Sequence, residues 1–332
     1  MFHFYVFDKQ VIRIGLFGLG HLGKIHLKCL RETDFQIIGI YDPVYLPNQY
    51  GPKYEDVPLY SSLDSLLDNI DACVIASPTA SHYSIAHKAL SRGIHCFIEK
   101  PLTSTVTEAE ELEKLVQLNN ELITQIGFVE RYNPAYKFVK QHTQNPKFIE
   151  VHRLAEFNNR GNDVSVIFDL MIHDLDLLMT FKSEKVKDIK ATGVSIFTKS
   201  LDICNSRIEF EDGCVANLTA SRMSMKVMRK FRIFQEDAYL TMDLHKKEGQ
   251  VISLADVPSD NSLVLEVGNE KKHILFKSSG TPTGNAILEE LIDFSSSIKD
   301  KSNNNANISS GVKTLRLAEQ IENIAQNNGR RL

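Results

Sequence analysis

The sequence predicts an α/β chain in two parts, an N-terminal doubly wound parallel sheet and a C-terminal α+β domain built on a mostly antiparallel, open sheet. Three observations predict it. Up to residue 126, short apolar runs alternate with helix-spaced segments, the order that parallel βαβ units require. From residue 127 the pattern shifts toward period-two runs joined by turn residues, which reads as antiparallel strands. The length, 332 residues, exceeds the usual size of one core. The domains are accordingly placed at 1–126 and 127–332.

Residues 11–17 are an apolar run ending in glycines, 25–30 continue with helical spacing, and 35–41 form a second buried-type strand. A helical piece at 63–67, a strand at 72–76, a helix at 84–91 stopped by Gly93, a strand at 95–98, a Glu/Lys-rich helix at 108–120 and a strand at 122–126 complete the first domain. In the second, 134–141 is helical, 147–154 is a strand and 164–181 is one apolar helix. Period-two runs fill 187–277, among them 207–210 and 214–220 around the turn Glu211-Asp212-Gly213, and 230–234 and 238–243 around Gln235-Glu236-Asp237. Two closing helices, 286–298 and 312–326, flank an Asn/Ser-rich loop at 302–310, whose last serine, Ser310, is placed to cap the final helix. The first ten residues read as an extra edge strand, a flexible arm or a start assigned too early.

Apolar residues are 42% and charged residues 24%, the balance of a globular enzyme. A net charge of −4, with basic residues scattered except at 222–232, gives no pull toward nucleic acid or anionic lipid. The five cysteines, Cys29, Cys73, Cys96, Cys204 and Cys214, are far apart, with no CxxC pair and no histidine at ligand spacing. They read as small core residues of a cytoplasmic protein. The N-terminus lacks the features of a signal peptide, and no apolar stretch is long enough to span a bilayer.

Gly18-Leu19-Gly20-His21-Leu22-Gly23 fits GxGxxG between a strand and a helix. The first glycine permits the tight turn, the second lets a pyrophosphate approach the backbone, and the third lets helix and strand pack closely. Asp42 ends the second strand close to the ~20-residue spacing at which a carboxylate accepts from ribose hydroxyls. Together they indicate a Rossmann dinucleotide site for NAD; a carboxylate there repels a 2′-phosphate, so NADP is less favoured. Ser77-Pro78-Thr79-Ala80-Ser81-His82 leaves the third strand as a polar loop that offers hydroxyls to the nicotinamide ribose or simply caps a helix.

The fourth strand runs into Glu99-Lys100-Pro101 at the carboxyl edge of the sheet, where ligands of such folds bind. Desolvation and a cationic ring nearby would both bring the Lys100 ammonium toward the range useful for proton transfer; a solvated lysine at a loop start is the plainer alternative. Asp169, His173 and Asp176 fall at i, i+4 and i+7 on an otherwise apolar helix, a stripe in which a carboxylate can orient an imidazole or merely satisfy a core histidine. With no third clustered histidine or cysteine, no metal site is expected.

These residues in this order, Gly18 to Gly23, Asp42, Ser77 to His82, Glu99-Lys100-Pro101 and Asp169-x-x-x-His173, resemble the Gfo/Idh/MocA oxidoreductases over almost the whole chain. The resemblance implies Lys100, Asp169 and His173 as the catalytic group. It also implies Gly18, Gly20, His21, Leu22, Gly23, Asp42, Ser77, Pro78, Thr79, His82, Glu99 and Lys100 as cofactor contacts, and a C-terminal sheet that packs face to face in homodimers or homotetramers. The stretches 127–134 and 169–176 look like the branch that oxidises UDP-N-acetylglucosamine, or its uronic acid, at carbon 3. Candidate substrate contacts are Arg131, Asn133, His173, Asp176 and Arg222, the two arginines because a guanidinium grips diphosphate or carboxylate bidentately, or else forms ordinary pairs. In this reading a sugar lies in a cleft between the domains, and Lys100 or His173 takes its hydroxyl proton. A dehydrogenase of a free polyol or aldose, a tetrapyrrole reductase, and a non-catalytic NAD-binding regulator are the rival readings.

Overall fold

The computed structural model describes residues 11–44, 54, 56–158, 164–255, 263–267, 270–280, 284–302, 304, 306–328 and 330–331. The alternatives for the first ten residues lie outside them. The elements are β1 (Arg13–Phe17), α1 (His21–Leu30), β2 (Gln36–Tyr41), α2 (Leu63–Leu67), β3 (Ala72–Ile75), α3 (His82–Ser91), β4 (His95–Ile98), α4 (Val106–Leu118) and β5 (Thr124–Ile126). They continue as α5 (Pro134–His142), β6 (Phe148–Leu154), α6 (Ile172–Phe181), β7 (Val186–Ser195), β8 (Ile203–Phe210), β9 (Val215–Ser221), β10 (Met228–Phe234) and β11 (Ala238–Asp243). The rest are β12 (Glu248–Ala255), β13 (Leu263–Val267), β14 (Glu270–Ser278), α7 (Ala286–Lys299), α8 (Ile308–Asn327) and β15 (Arg330–Arg331).

The first five strands pair in parallel in the order β2-β1-β3-β4-β5. The order reverses between β1 and β3, which makes the carboxyl ends of these strands the topological switch point. Helix α4 begins at Val106, two residues before the expected start. A capping box sets that start: the Thr105 side chain accepts from the Glu108 N–H while Glu108 accepts from the Thr105 N–H.

The remaining strands form a second sheet in the order β13-β14-β12-β11-β10-β6-β9-β8-β7-β15, antiparallel except where β6 meets β9 and β7 meets β15. Alternation sets its two faces. Ile149, Val151, Phe231, Ile233, Leu240 and Met242 point to the covered side and pack with Val139, Leu175, Leu178 and Ile321. Gly213 closes the β8–β9 turn at φ +80, a conformation that glycine takes without strain.

The described residues divide into two compact units, one running to Gly127 and including Ile287–Val312, the other holding Phe128–Ala286 and Lys313–Leu332. The linear division at residue 126 left 287–312 with the second domain. The apolar stripe of α7 corrects it, since Leu291 and Phe294 bury in the first core and the Phe294 ring lies 6.0 Å from both Phe35 and Phe97. Helix α8 starts four residues before the expected 312, so Ser310 is inside it, and the cap is Asn307, whose side chain accepts from the Ser310 N–H at 3.2 Å. The expected single helix over 164–181 is a π turn, Ile167–Met171, followed by α6. No described helix is long and apolar enough to cross a membrane.

Candidate active site

The glycine loop occupies the tip of β1, and its three glycines are there for three different reasons. Gly18 has φ +95, and a Cβ on it would stand 2.6 Å from the Ser77 backbone nitrogen. A Cβ on Gly23 would meet the Gly18 carbonyl oxygen at 2.1 Å, so helix and turn touch there only because nothing projects. At Gly20 a Cβ would meet no atom within 4 Å: that side of the backbone is open to a ligand. Helix α1 starts with no side-chain cap and no acidic residue in its first turn, which leaves its N–H groups for an anion.

Asp42 follows β2 and ties the loop down. Its Oδ2 accepts from the Leu19 N–H at 2.7 Å and its Oδ1 from the Val44 N–H at 2.9 Å. Each oxygen keeps acceptor capacity beyond its one bond. A cavity of about 870 Å³ opens at the switch point, lined by Gly18, Gly20, His21, Leu22, Asp42, Ser77, Pro78, Thr79, His82, Glu99 and Lys100. Of the expected cofactor contacts, only Gly23 is absent from that wall. The open Gly20 face, the uncapped helix and the carboxylate make a donor and acceptor set that fits NAD.

His82, on the cavity wall, also braces the fold. Its ring is buried, with Nδ1 3.0 Å from the Pro101 carbonyl oxygen and Nε2 2.9 Å from that of Ser77. Burial holds its pKa below the ordinary imidazole value despite those acceptors and Glu99. A neutral ring donates to only one of the two carbonyls, and in either tautomer it braces the loop after β3 against the turn after β4. Ser77 and Ser81 share a hydroxyl bond of 2.7 Å across the short 3-10 turn Thr79–Ser81.

Lys100 is half-buried at the cavity wall, next to a cis peptide at Pro101. The Glu99 carboxylate turns inward: Oε1 meets His26 Nε2 at 2.6 Å and Oε2 accepts from the Lys100 N–H at 3.1 Å. His26 and Glu290, which with Glu99 form a buried cluster, were missed in the sequence. An apolar helix gives no sign that one polar residue faces inward. The spacing of His26, on the buried side of α1 with Leu27 and Leu30, was the available signal.

In the second unit, Asp169 lies in the π turn and His173 in the first turn of α6, both half-buried. Four residues fall just short of one π turn, as they fall just past one α turn, so the pair still shares a face. Asp176 departs from that stripe. It is buried, and Arg131 Nε and Nη2 donate to its carboxylate at 2.8 and 2.6 Å. That bidentate pair commits the Nε–Nη2 edge of the guanidinium to Asp176. Asn133 is likewise committed, its Oδ1 capping α5 at the Ala135 N–H and its Nδ2 donating to Glu130 and the Leu244 carbonyl. Arg222, expected as an anchor, is buried and donates Nη2 to the Leu201 carbonyl at 3.2 Å and to that of Val164, with Asp202 3.6 Å from its Nε. These four side chains are drawn inward because each finds a partner in the fold, which a buried polar group needs.

The same physics builds a network the sequence did not disclose. Arg153, buried on β6, donates to both Asp174 oxygens at 2.8 to 2.9 Å and to Glu130 at 3.0 Å. Burial pushes the Asp174 carboxyl upward, with Arg153 pulling against it.

A family model described as the Gfo/Idh/MocA oxidoreductase family, NAD-binding Rossmann fold, matches residues 12–128. UDP-N-acetylglucosamine 3-dehydrogenase of Acidithiobacillus ferrooxidans is 35% identical over 239 residues, 70% of this chain and 74% of that protein. A crystal structure of the Acidithiobacillus enzyme superposes with a TM-score of 0.86 at 29% identity, covering 96% of this chain and 98% of that one. Scyllo-inositol dehydrogenase of Lactobacillus casei, solved with NAD(H) and scyllo-inositol, shares the fold at a TM-score of 0.76 and 21% identity, over 96% of this chain and 98% of its own.

Proposed function

The chain belongs to the Gfo/Idh/MocA oxidoreductase family with its NAD-binding Rossmann fold, and from that premise we propose that it is a sugar dehydrogenase moving hydride between NAD and carbon 3 of a UDP-N-acetylhexosamine. The observation that carries the reading is one cavity wall holding both the phosphate loop and Lys100. The similarity to UDP-N-acetylglucosamine 3-dehydrogenase supports the substrate class.

NAD bound in that cavity supplies the hydride acceptor. The N–H groups at the start of α1 and the bare face of Gly20 would hold the pyrophosphate, and Asp42 would accept from the adenosine ribose hydroxyls while disfavouring a 2′-phosphate. Lys100, or His173 oriented by Asp169, takes the proton of the sugar hydroxyl. Oxidation of an uncharged polyol is the second reading, favoured by Arg131, Asn133, Asp176 and Arg222 being turned to partners inside the fold. A cytoplasmic location accompanies either reading and is supported by five free, buried cysteines.

NADH formation is to be followed with UDP-N-acetylglucosamine, its uronic acid, free N-acetylglucosamine and inositols. UDP-N-acetylglucosamine is expected to give the highest kcat/KM, and Lys100→Ala and His173→Ala each to lower kcat by about 10²- to 10⁴-fold with NAD binding retained. Turnover within a few-fold of the parent in both variants would remove them from the chemistry, and a preference for inositol would favour the second reading.

A further inference from the structure

The Glu99 side chain serves two partners, His26 on one oxygen and the Lys100 backbone N–H on the other. It fits because residue 127 is glycine; a Cβ there would stand 2.8 Å from Glu99 Oε2. Behind it lies Glu290 of α7, fully buried, with neither carboxylate oxygen hydrogen-bonded. One donor atom each of His26, Glu99 and Glu290 lie within 4.8 Å of one another. His26 comes from α1, Glu99 from the end of β4, and β5 contributes the uncharged Gln125, whose Nε2 donates to the Glu290 carbonyl at 2.7 Å. Among the described residues, no lysine or arginine pairs with either acid. Two carboxylates thus face at most one imidazolium; Glu99 reaches the cavity wall, whereas Glu290 is cut off from solvent, and an isolated buried carboxylate is too costly to keep.

We propose that His26, Glu99 and Glu290 form a buried positioning unit behind Lys100, in which Glu290 works as the neutral acid. The unit acts through the backbone. Glu99, oriented by His26, fixes the Lys100 N–H and so the direction in which the lysine leaves the turn. A proton on Glu290 removes the repulsion that would otherwise drive Glu99 off that N–H. Burial, reinforced by the neighbouring Glu99 charge, pushes the Glu290 carboxyl well above its ordinary 4.5, in line with this arrangement. The stabilising share of Glu290 is then complete below about its ordinary value and is lost as pH rises through the elevated one. The positioning role rests on the reading of Lys100 as a proton-transfer group; the neutral acid does not.

The test uses the full-length protein and the variants Glu290→Gln, Glu290→Asp and His26→Leu. Glu290→Gln keeps shape and neutrality, so it is expected to retain kcat within about twofold and to lose less thermal stability than the parent as pH rises above the ordinary carboxyl value of 4.5. His26→Leu is expected to lower kcat by about 10- to 100-fold with the KM for NAD nearly unchanged, because a small misplacement of a reacting group costs rate before it costs binding. Glu290→Asp should fall between them. Parallel stability profiles for parent and Glu290→Gln would overturn the neutral acid. So would a stoichiometric divalent metal, measured by plasma mass spectrometry, that disappears in Glu290→Gln. Unchanged kcat in His26→Leu would overturn the positioning role. A parent with no turnover on any sugar, but with the flattened profile in Glu290→Gln, would instead sink the dehydrogenase reading.

Discussion

Arg153 illustrates how single residues hold the second unit. It contributes one guanidinium to two buried carboxylates, and the pairs persist because each oxygen facing it receives an N–H. Removing the cation leaves Asp174 without its hydrogen-bonded partner and Glu130 with only Asn133 and, at 3.7 Å, Arg229, close to the situation in which breaking a buried pair costs about 3–5 kcal/mol. Arg153→Met is therefore expected to lower the thermal midpoint markedly, and the double variant Arg153→Met, Asp174→Leu to recover part of the loss. Differential scanning calorimetry of the two checks this, and equal losses would show that the charge imbalance is not the cause. Little of this was legible in the sequence. Asp174 sits between His173 and Leu175 with no periodic signal, whereas Gly18, Gly20, Gly23 and Asp42 were readable because their spacing is dictated by one ligand.

The same contrast holds for whole elements. Strands and helices of the first sheet were readable from apolar runs, since a parallel sheet buries both faces of its strands. The π turn was not, because the sequence periods of π and α segments differ too little over five residues. Nor was the loop between β7 and β8, which is organised by one side chain: Asp202 Oδ2 accepts from the N–H groups of Ile196, Phe197 and Thr198 at 2.7, 2.8 and 3.1 Å. Burial pushes the Asp202 carboxyl up, but these donors and the Thr198 hydroxyl together hold it below its ordinary 3.8. A depressed folded-state value stabilises above the unfolded one and is lost as pH falls through the folded one. Asp202→Asn should consequently be less stable than the parent at neutral pH, with the gap narrowing on acidification below about pH 4. Thermal midpoints across that range decide it, and a constant gap would assign the loss to shape rather than charge.

Across the whole molecule, the open face of the second sheet carries an apolar row that the strand registers align. Phe148 on β6, Phe234 on β10, Tyr239 on β11, Ile252 on β12 and Phe276 on β14 are successive cross-strand partners. The first three rings adjoin, with centroids 5.8 Å apart for Phe148–Phe234 and 4.9 Å for Phe234–Tyr239. Such a row favours burial against a second copy. A homodimer or homotetramer is expected by light scattering, and Phe234→Glu with Phe276→Glu should shift it toward monomer; an unchanged mass would place the contact elsewhere. Alternation made the two faces readable from sequence, but which strands would adjoin was not, since β6 pairs with β9 and β10 across long intervening segments. The thiols have a practical corollary. All five are buried, and burial pushes the Cys204 and Cys214 thiols up to about 12 and about 11. Maleimides, which attack thiolates, will find the native fold almost inert. One cysteine introduced at exposed Leu118 would take a fluorophore alone and report in solution on this enzyme without any prior cysteine removal.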